Sequence, residues 1–202
     1  MLVLSCEPDE RWKNVPRAVE SLKSGGVVVY PTDTVYGMGC DLLNKRALEK
    51  VYQYKKMPRH KPLSFICADM SQVAEYAQLS TPAFKLMRRL LPGPFTFILQ
   101  ATRLVPKVML SNQHTVGIRV PAHDICLDLV RGLGNPLVNT SASTHIDEVV
   151  SDPDHIQREF HMVDLMLTEG PLESDPSTII DFTGDDPVVV RQGKGDLSIF
   201  LK

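Results

Sequence analysis

Apolar positions recur along this chain at two periods, and together they predict an alternation of helices and strands. Val15, Ala18, Val19 and Leu22 follow an i, i+3, i+4, i+7 spacing, which predicts a helix capped by Asn14, with Pro16 tolerated in its first turn and Gly25-Gly26 ending it. The β-branched run at 27–30 then predicts a buried central strand that Pro31 stops. A second helix is predicted after Asn44, with Ala47, Leu48 and Val51 on one face, ending before Met57-Pro58. Residues 63–67 predict a strand, Ser71 a cap for a helix through Tyr76, and Ser80-Thr81-Pro82 the start of a helix with Phe84, Met87, Leu90 and Leu91 inward. Pro92-Gly93-Pro94 ends that helix, and FTFILQ at 95–100 predicts a strand. Further on, 105–110 predicts a short helix, 115–120 a strand, 125–132 a helix, 136–140 a strand, and Asp152-Pro153 another helix start. Strands at 163–167, 178–182 and 188–191, a turn at Gly193-Lys194-Gly195 and an edge segment at 197–201 complete the pattern. Intermixed elements with hairpin-like spacing near the end predict a single-domain α/β fold, a twisted mixed parallel and antiparallel sheet with packed helices.

The turn after the first of these strands carries the first chemical signal. Thr32, Asp33, Thr34, Tyr36, Gly37 and Gly39 follow Pro31, offering hydroxyls, a carboxylate and closely approachable backbone at a strand's carboxyl end. Ligands in open α/β sheets usually sit at such ends, although most turns of this composition only reverse the chain.

Composition narrows the class without naming a function. The 202 residues are 43% hydrophobic and 23% charged, an ordinary globular balance. No stretch approaches the roughly 18 apolar residues of a membrane span, and the start MLVLSCEPDE turns acidic too soon for a signal peptide, so a cytoplasmic protein is expected. Cys6, Cys40, Cys67 and Cys126 form no CxxC pair and the six histidines no HExxH, so no structural metal is expected and the thiols are expected reduced and buried. The net charge of -2 hides an asymmetry. Seven Lys or Arg against one acid lie between Lys45 and Lys61, whereas twelve acids against one base lie between Asp147 and Asp186. One surface should attract anions and another repel them.

Phosphate chemistry would here need dispersed groups. GxxxxGK[ST] is absent, Gly37-Met38-Gly39 lacks the third glycine of a dinucleotide fingerprint, and no serine sits in a GxSxG elbow. Arg119 lies on an apolar strand, costly unless its guanidinium reaches a ligand cleft or an acid such as Asp124. Arg191 in VVVRQG repeats that logic, Thr140, Ser141 and Ser143 in NTSAS end another apolar strand, and Ser177 and Thr178 begin one. With the cations between Lys55 and Lys61, these describe a cleft for a polyanion, where charge on a transferred phosphoryl or adenylyl group would be stabilised.

PTDTVYG, the lysine-rich segment ending in KPLS, GIRVP, NTSAS, PSTIID and VVRQGKG occur in that order over 14–200, and this ordered set resembles the YrdC family. The resemblance implies one YrdC-like domain over 14–200 with a large basic concave cleft. It implies an L-threonylcarbamoyladenylate synthase-like activity in tRNA threonylcarbamoyladenosine modification, with ATP, L-threonine and bicarbonate as substrates and Mg²⁺ arriving with ATP. By the same resemblance Thr34, Arg119 and Ser177 would contact threonine, and Lys55, Thr115, Ser141 and Arg191 the nucleotide, while Lys56, Arg59 and Lys61 would meet RNA or phosphate. Four positions depart from the synthase pattern. Met57 stands where an arginine is usual, Ser143 where an asparagine is, Lys61 where an asparagine precedes PL, and apolar Ile66 within SFIC where a histidine follows. These departures resemble the YciO-type branch, for which binding of double-stranded RNA, tRNA or nucleotide with little synthase activity is the alternative.

Overall fold

The computed structural model describes residues 1–58, 61, 63–143, 150–172, 175–184 and 186–198. In chain order its elements are β1 (Leu2–Ser5), α1 (Arg11–Lys23), β2 (Val28–Tyr30), β3 (Gly37–Gly39), α2 (Lys45–Tyr54), β4 (Ser64–Ile66), α3 (Met70–Tyr76), β5 (Ala77–Gln78) and α4 (Thr81–Leu90). There follow β6 (Phe95–Ala101), a 3-10 turn (Lys107–Met109), β7 (Thr115–Arg119), α5 (Asp124–Leu133), β8 (Leu137–Ser141), α6 (Pro153–Glu159), β9 (Leu165–Thr168), β10 (Thr178–Asp181) and β11 (Val188–Arg191). One eleven-stranded sheet runs β1-β9-β2-β3-β8-β4-β7-β6-β10-β11, with β5 paired to β6 off this path. Parallel pairs such as β4 with β7 and β6 with β10 alternate with antiparallel pairs such as β6 with β7 and β10 with β11, so the mixed α/β sheet predicted from the sequence is the one observed.

Local chemistry explains most element boundaries. Asn44 and Ser80 cap α2 and α4 by accepting from the Ala47 and Ala83 amides. Other boundaries differ from the sequence expectation. The first helix begins at Arg11, and Asn14 lies inside it, its amide donating to the Ser5 carbonyl at 2.7 Å. α3 is capped by Asp69 and not Ser71, because Asp69 accepts from Gln72. Phe84 faces outward at 39% exposure, under the guanidinium of Arg88. Gly37-Met38-Gly39, read as part of a turn, is a strand antiparallel to β2. Leu2–Ser5, ahead of residue 14, pairs in parallel with β9.

Two buried clusters cover the sheet. On one face α1 and α5 pack together over Val28 and Tyr30 of β2, Leu165 and Leu167 of β9, Leu137 of β8 and Ile66 of β4. On the other, Met38, Val29, Phe65, Ile118, Val138 and Met166 meet residues of α2, α3 and α4. Alternation along the strands then decides what the first face carries beyond α5. Ser64, Asn139 and Ser141 lie two or four residues from Ile66 and Leu137, so they share the face that the two helices cover only in part. All four cysteines are free and buried, and no helix of the described residues is long and apolar enough to cross a membrane.

Candidate functional site

A cavity of about 380 Å³ opens on that uncovered part of the sheet. Its floor is a set of alternate residues from adjacent strands: Thr96 and Ile98 of β6, Thr115, Gly117 and Arg119 of β7, Asn139 and Ser141 of β8, and Ser64 of β4. Ser177, just before β10, and Ile179 within it continue the floor, and Thr34 to Gly37 close one side. The cavity therefore lies across the sheet, with Thr115 and Arg119 at opposite ends of one strand, and takes in mid-strand residues such as Gly117 and Asn139 besides the strand ends that the sequence pointed to. Gly117 keeps the middle of the floor low: a Cβ there would stand 3.2 Å from that of Ser64 and 3.4 Å from Thr96 Cγ2.

The turn at 31–35 is ordered by its own hydroxyls. Thr32 Oγ1 donates to the Val35 carbonyl at 2.6 Å and accepts the Thr34 amide at 3.0 Å. With its only proton committed, Thr32 Oγ1 accepts from Thr34 Oγ1 at 2.9 Å, and Thr34 Oγ1 in turn accepts from Arg119 Nη2 at 3.0 Å. Arg119 also donates through Nη2 to Asp33 Oδ1 at 2.7 Å, both side chains being less than a tenth exposed. The acid that meets Arg119 is thus Asp33 of this turn. Asp124, the partner considered from the sequence, is instead bound by Arg11 at 3.1 Å. Arg119 Nε is buried and has no hydrogen-bond partner among the described residues. An orphaned donor of this kind costs roughly 1 to 3 kcal/mol.

Arg191 reaches the far end of the cavity because β11 is bulged. Ile179 pairs with Arg191 but Ile180 with Val189, leaving Val190 as the extra residue, and such bulges re-aim the side chains beside them. Arg191 Nε and Nη2 both donate to the Ser177 carbonyl, at 3.1 and 2.8 Å, and Ser177 Oγ lies 2.8 Å from Thr96 Oγ1. Partial burial, helped by the nearby positive charge of Arg119, lowers the proton affinity of Arg191.

Lys55 follows α2 and is 5% exposed. Its ammonium donates to the Ser141 carbonyl at 2.8 Å and to the Ser143 carbonyl, tying the helix to the end of β8. Burial pulls its pKa down to about 8, a fall that Lys61 adds to and Glu159 opposes. Thr115 is tied by its hydroxyl to Ser111 at 2.7 Å. Thus Thr34, Arg119, Ser177, Lys55, Thr115, Ser141 and Arg191 all line one cavity, together with Lys61 and the two departures Met57 and Ser143. Lys56, exposed and at positive φ, is not among the lining residues, Ile66 is buried in the core under α5, and Arg59 lies outside the described residues. Sequence reasoning gave Asp33 no partner and missed Thr96 and Asn139, although a polar residue inside the apolar runs FTFILQ and PLVNT was a readable signal. Among the described lining residues lysine and arginine occur but no Asp or Glu, so a Mg²⁺ entering with a nucleotide would keep phosphate oxygens and water as its ligands.

A family model described as telomere recombination, built on Sua5, YciO and YrdC, matches residues 20–193. The chain belongs to the Sua5/YciO/YrdC family. Escherichia coli YciO, an uncharacterized protein, is 39% identical over 197 residues, covering 96% of this chain and 95% of its own. Its crystal structure superposes with a TM-score of 0.89 at 37% identity over 98% of both chains. The structure of Pyrococcus abyssi Sua5 complexed with L-threonine superposes with a TM-score of 0.90 at 29% identity, over 98% of this chain and 59% of that one. A threonylcarbamoyl-AMP synthase of Chromobacterium violaceum is 41% identical over 128 residues, 63% of this chain and 66% of its own. Members of this Sua5/YciO/YrdC family thus include synthases of threonylcarbamoyl-AMP.

Proposed function

We propose that the protein is a threonylcarbamoyl-AMP synthase-like enzyme that joins L-threonine, bicarbonate and ATP in this cavity. The observation that carries the reading is a buried guanidinium, Arg119, lining the cavity next to the Thr34 hydroxyl that it bonds at 3.0 Å. A guanidinium suits a carboxylate, and Thr34, through its remaining lone pair, and Ser177 offer hydroxyl oxygens to the rest of a small amino acid. The L-threonine complex of the Pyrococcus abyssi relative supports the same ligand class.

Threonine's amine takes up bicarbonate as a carbamate with release of water. A carbamate oxygen then attacks the α-phosphorus of ATP, forming the acyl-phosphate bond of the adenylate as pyrophosphate leaves. Arg191 and Lys61 sit where they would offset triphosphate charge, and Ser141 and Thr115 offer hydroxyls to the nucleotide. Lys55 reaches phosphate only by giving up a carbonyl or using its remaining proton. The activity belongs to tRNA threonylcarbamoyladenosine formation in the cytoplasm.

The test is pyrophosphate release from ATP that requires both threonine and bicarbonate; release independent of threonine, or none at high enzyme concentration, removes the reading. Met57 favours a second reading, since its thioether lines the cavity where synthases of the family place a guanidinium, and a thioether cannot pair with phosphate. In that case the protein binds nucleotide, double-stranded RNA or tRNA through the exposed Lys45 and Arg46 of α2, and its affinity falls steeply with salt. Salt-insensitive or absent tRNA binding removes this alternative.

A further inference from the structure

We infer that Asp33, which lies outside the cavity lining, is a positioning residue that fixes the plane of the Arg119 guanidinium and so selects which of its edges meets the small substrate. The inference deepens the synthase reading and rests on it for the identity of that substrate. Asp33 holds Arg119 from two directions. Its Oδ1 accepts from Arg119 Nη2 at 2.7 Å, and its Oδ2 accepts the backbone amide of Ala122 at 2.9 Å, three residues further along the same chain segment. One carboxylate therefore clasps both the head of the arginine and the backbone leaving it.

The clasp decides which donors remain. Nη2 carries two protons, and the two acceptors in reach are Asp33 Oδ1 and Thr34 Oγ1. Nε is left with no acceptor among the described residues, in a side chain that is only 5% exposed. A guanidinium turned out of this plane would carry Nη2 away from both Asp33 Oδ1 and Thr34 Oγ1 and present a different edge to the cavity. The pair also makes the cavity floor electrically neutral at this point, so an arriving carboxylate is recognised by the direction of its hydrogen bonds more than by net charge. That suits a zwitterionic amino acid better than a polyanion.

The experiment compares the wild type with Asp33→Asn and Asp33→Glu. Asn keeps the shape but offers only one acceptor and no charge, whereas Glu keeps two acceptors and the charge on a longer stem. Side-chain ¹⁵N NMR of Arg119 in the free protein reads the clasp directly: distinct, slowly exchanging Nη signals in the wild type, merging or exchanging about tenfold faster in Asp33→Asn. Steady-state pyrophosphate release reads its consequence: KM for threonine rises about tenfold or more in Asp33→Asn, KM for ATP stays within about twofold, and Asp33→Glu recovers part of the loss. Unchanged Arg119 signals, or equal rises in both KM values with a fall in Tm, would overturn the inference. If the wild type itself releases no pyrophosphate with threonine, the synthase reading fails, and the Arg119 signals alone decide the role of Asp33.

Discussion

The Lys55 ammonium donates to the Ser141 carbonyl at 2.8 Å across 86 residues of sequence, and burial lowers its pKa to about 8 from 10.5. The unfolded chain therefore holds that proton more tightly than the folded protein does between about pH 8 and pH 10.5. Stability from this group rises with pH through that window and is flat below it. Against Lys55→Met, the wild type gains roughly 2 kcal/mol between about pH 7 and pH 9.5, measured by urea unfolding at the two values. A difference that does not change with pH would show that the ammonium is no worse off inside than in water.

Gly39 is fixed by the backbone of the neighbouring strand. A Cβ there would stand 1.7 Å from the Val138 carbonyl oxygen, and no side-chain rotation relieves a clash with backbone. Gly39→Ala is expected to cost about 3 kcal/mol or more, read as a lower urea midpoint or loss of soluble protein.

Tyr30 is fully buried, its hydroxyl donating to Asn139 Oδ1 at 2.9 Å beneath the cavity floor. Tyr30→Phe removes that donor and leaves an acceptor unsatisfied, for an expected loss of roughly 1 to 3 kcal/mol in thermal or urea unfolding. Asn139 also loses its anchor, so ligand affinity in the cavity should fall with it.

Met57 and Ser143 line the same cavity as the residues assigned to substrate. The double substitution Met57→Arg with Ser143→Asn reverses two of the four departures from the synthase pattern and is expected to raise threonine-dependent pyrophosphate release about tenfold or more, since each charge-assisted hydrogen bond is worth on the order of 1.5 to 3 kcal/mol. No gain in the double variant would show that these two positions do not limit the reaction.

Much of this was legible in the chain because strand alternation and helix caps are local. FTFILQ, TVGIRV and the capped α2 and α4 all form close to where their patterns put them. The elements that were not legible depend on partners far away in sequence. LVLS becomes a strand only because β9 lies beside it, and Gly37-Met38-Gly39 pairs because its glycines admit the neighbouring backbone. The same holds at the site. The sequence could nominate Arg119, but its acid is 86 residues away, and nothing local distinguishes Asp33 from Asp124.

β1 and β9 pair across more than 160 residues, and the cavity draws on segments from Thr34 to Arg191. A ribosome making this chain releases β1 first and must add most of the sequence before its neighbour exists. During that interval one edge of β2 lacks the hydrogen-bonding partner that β9 supplies, and neither α5 nor Arg119 is yet available to the opening turn. The last strands to emerge complete a site whose first residues have been waiting since the start, so slow folding and a need for chaperone protection during synthesis follow from the strand order itself.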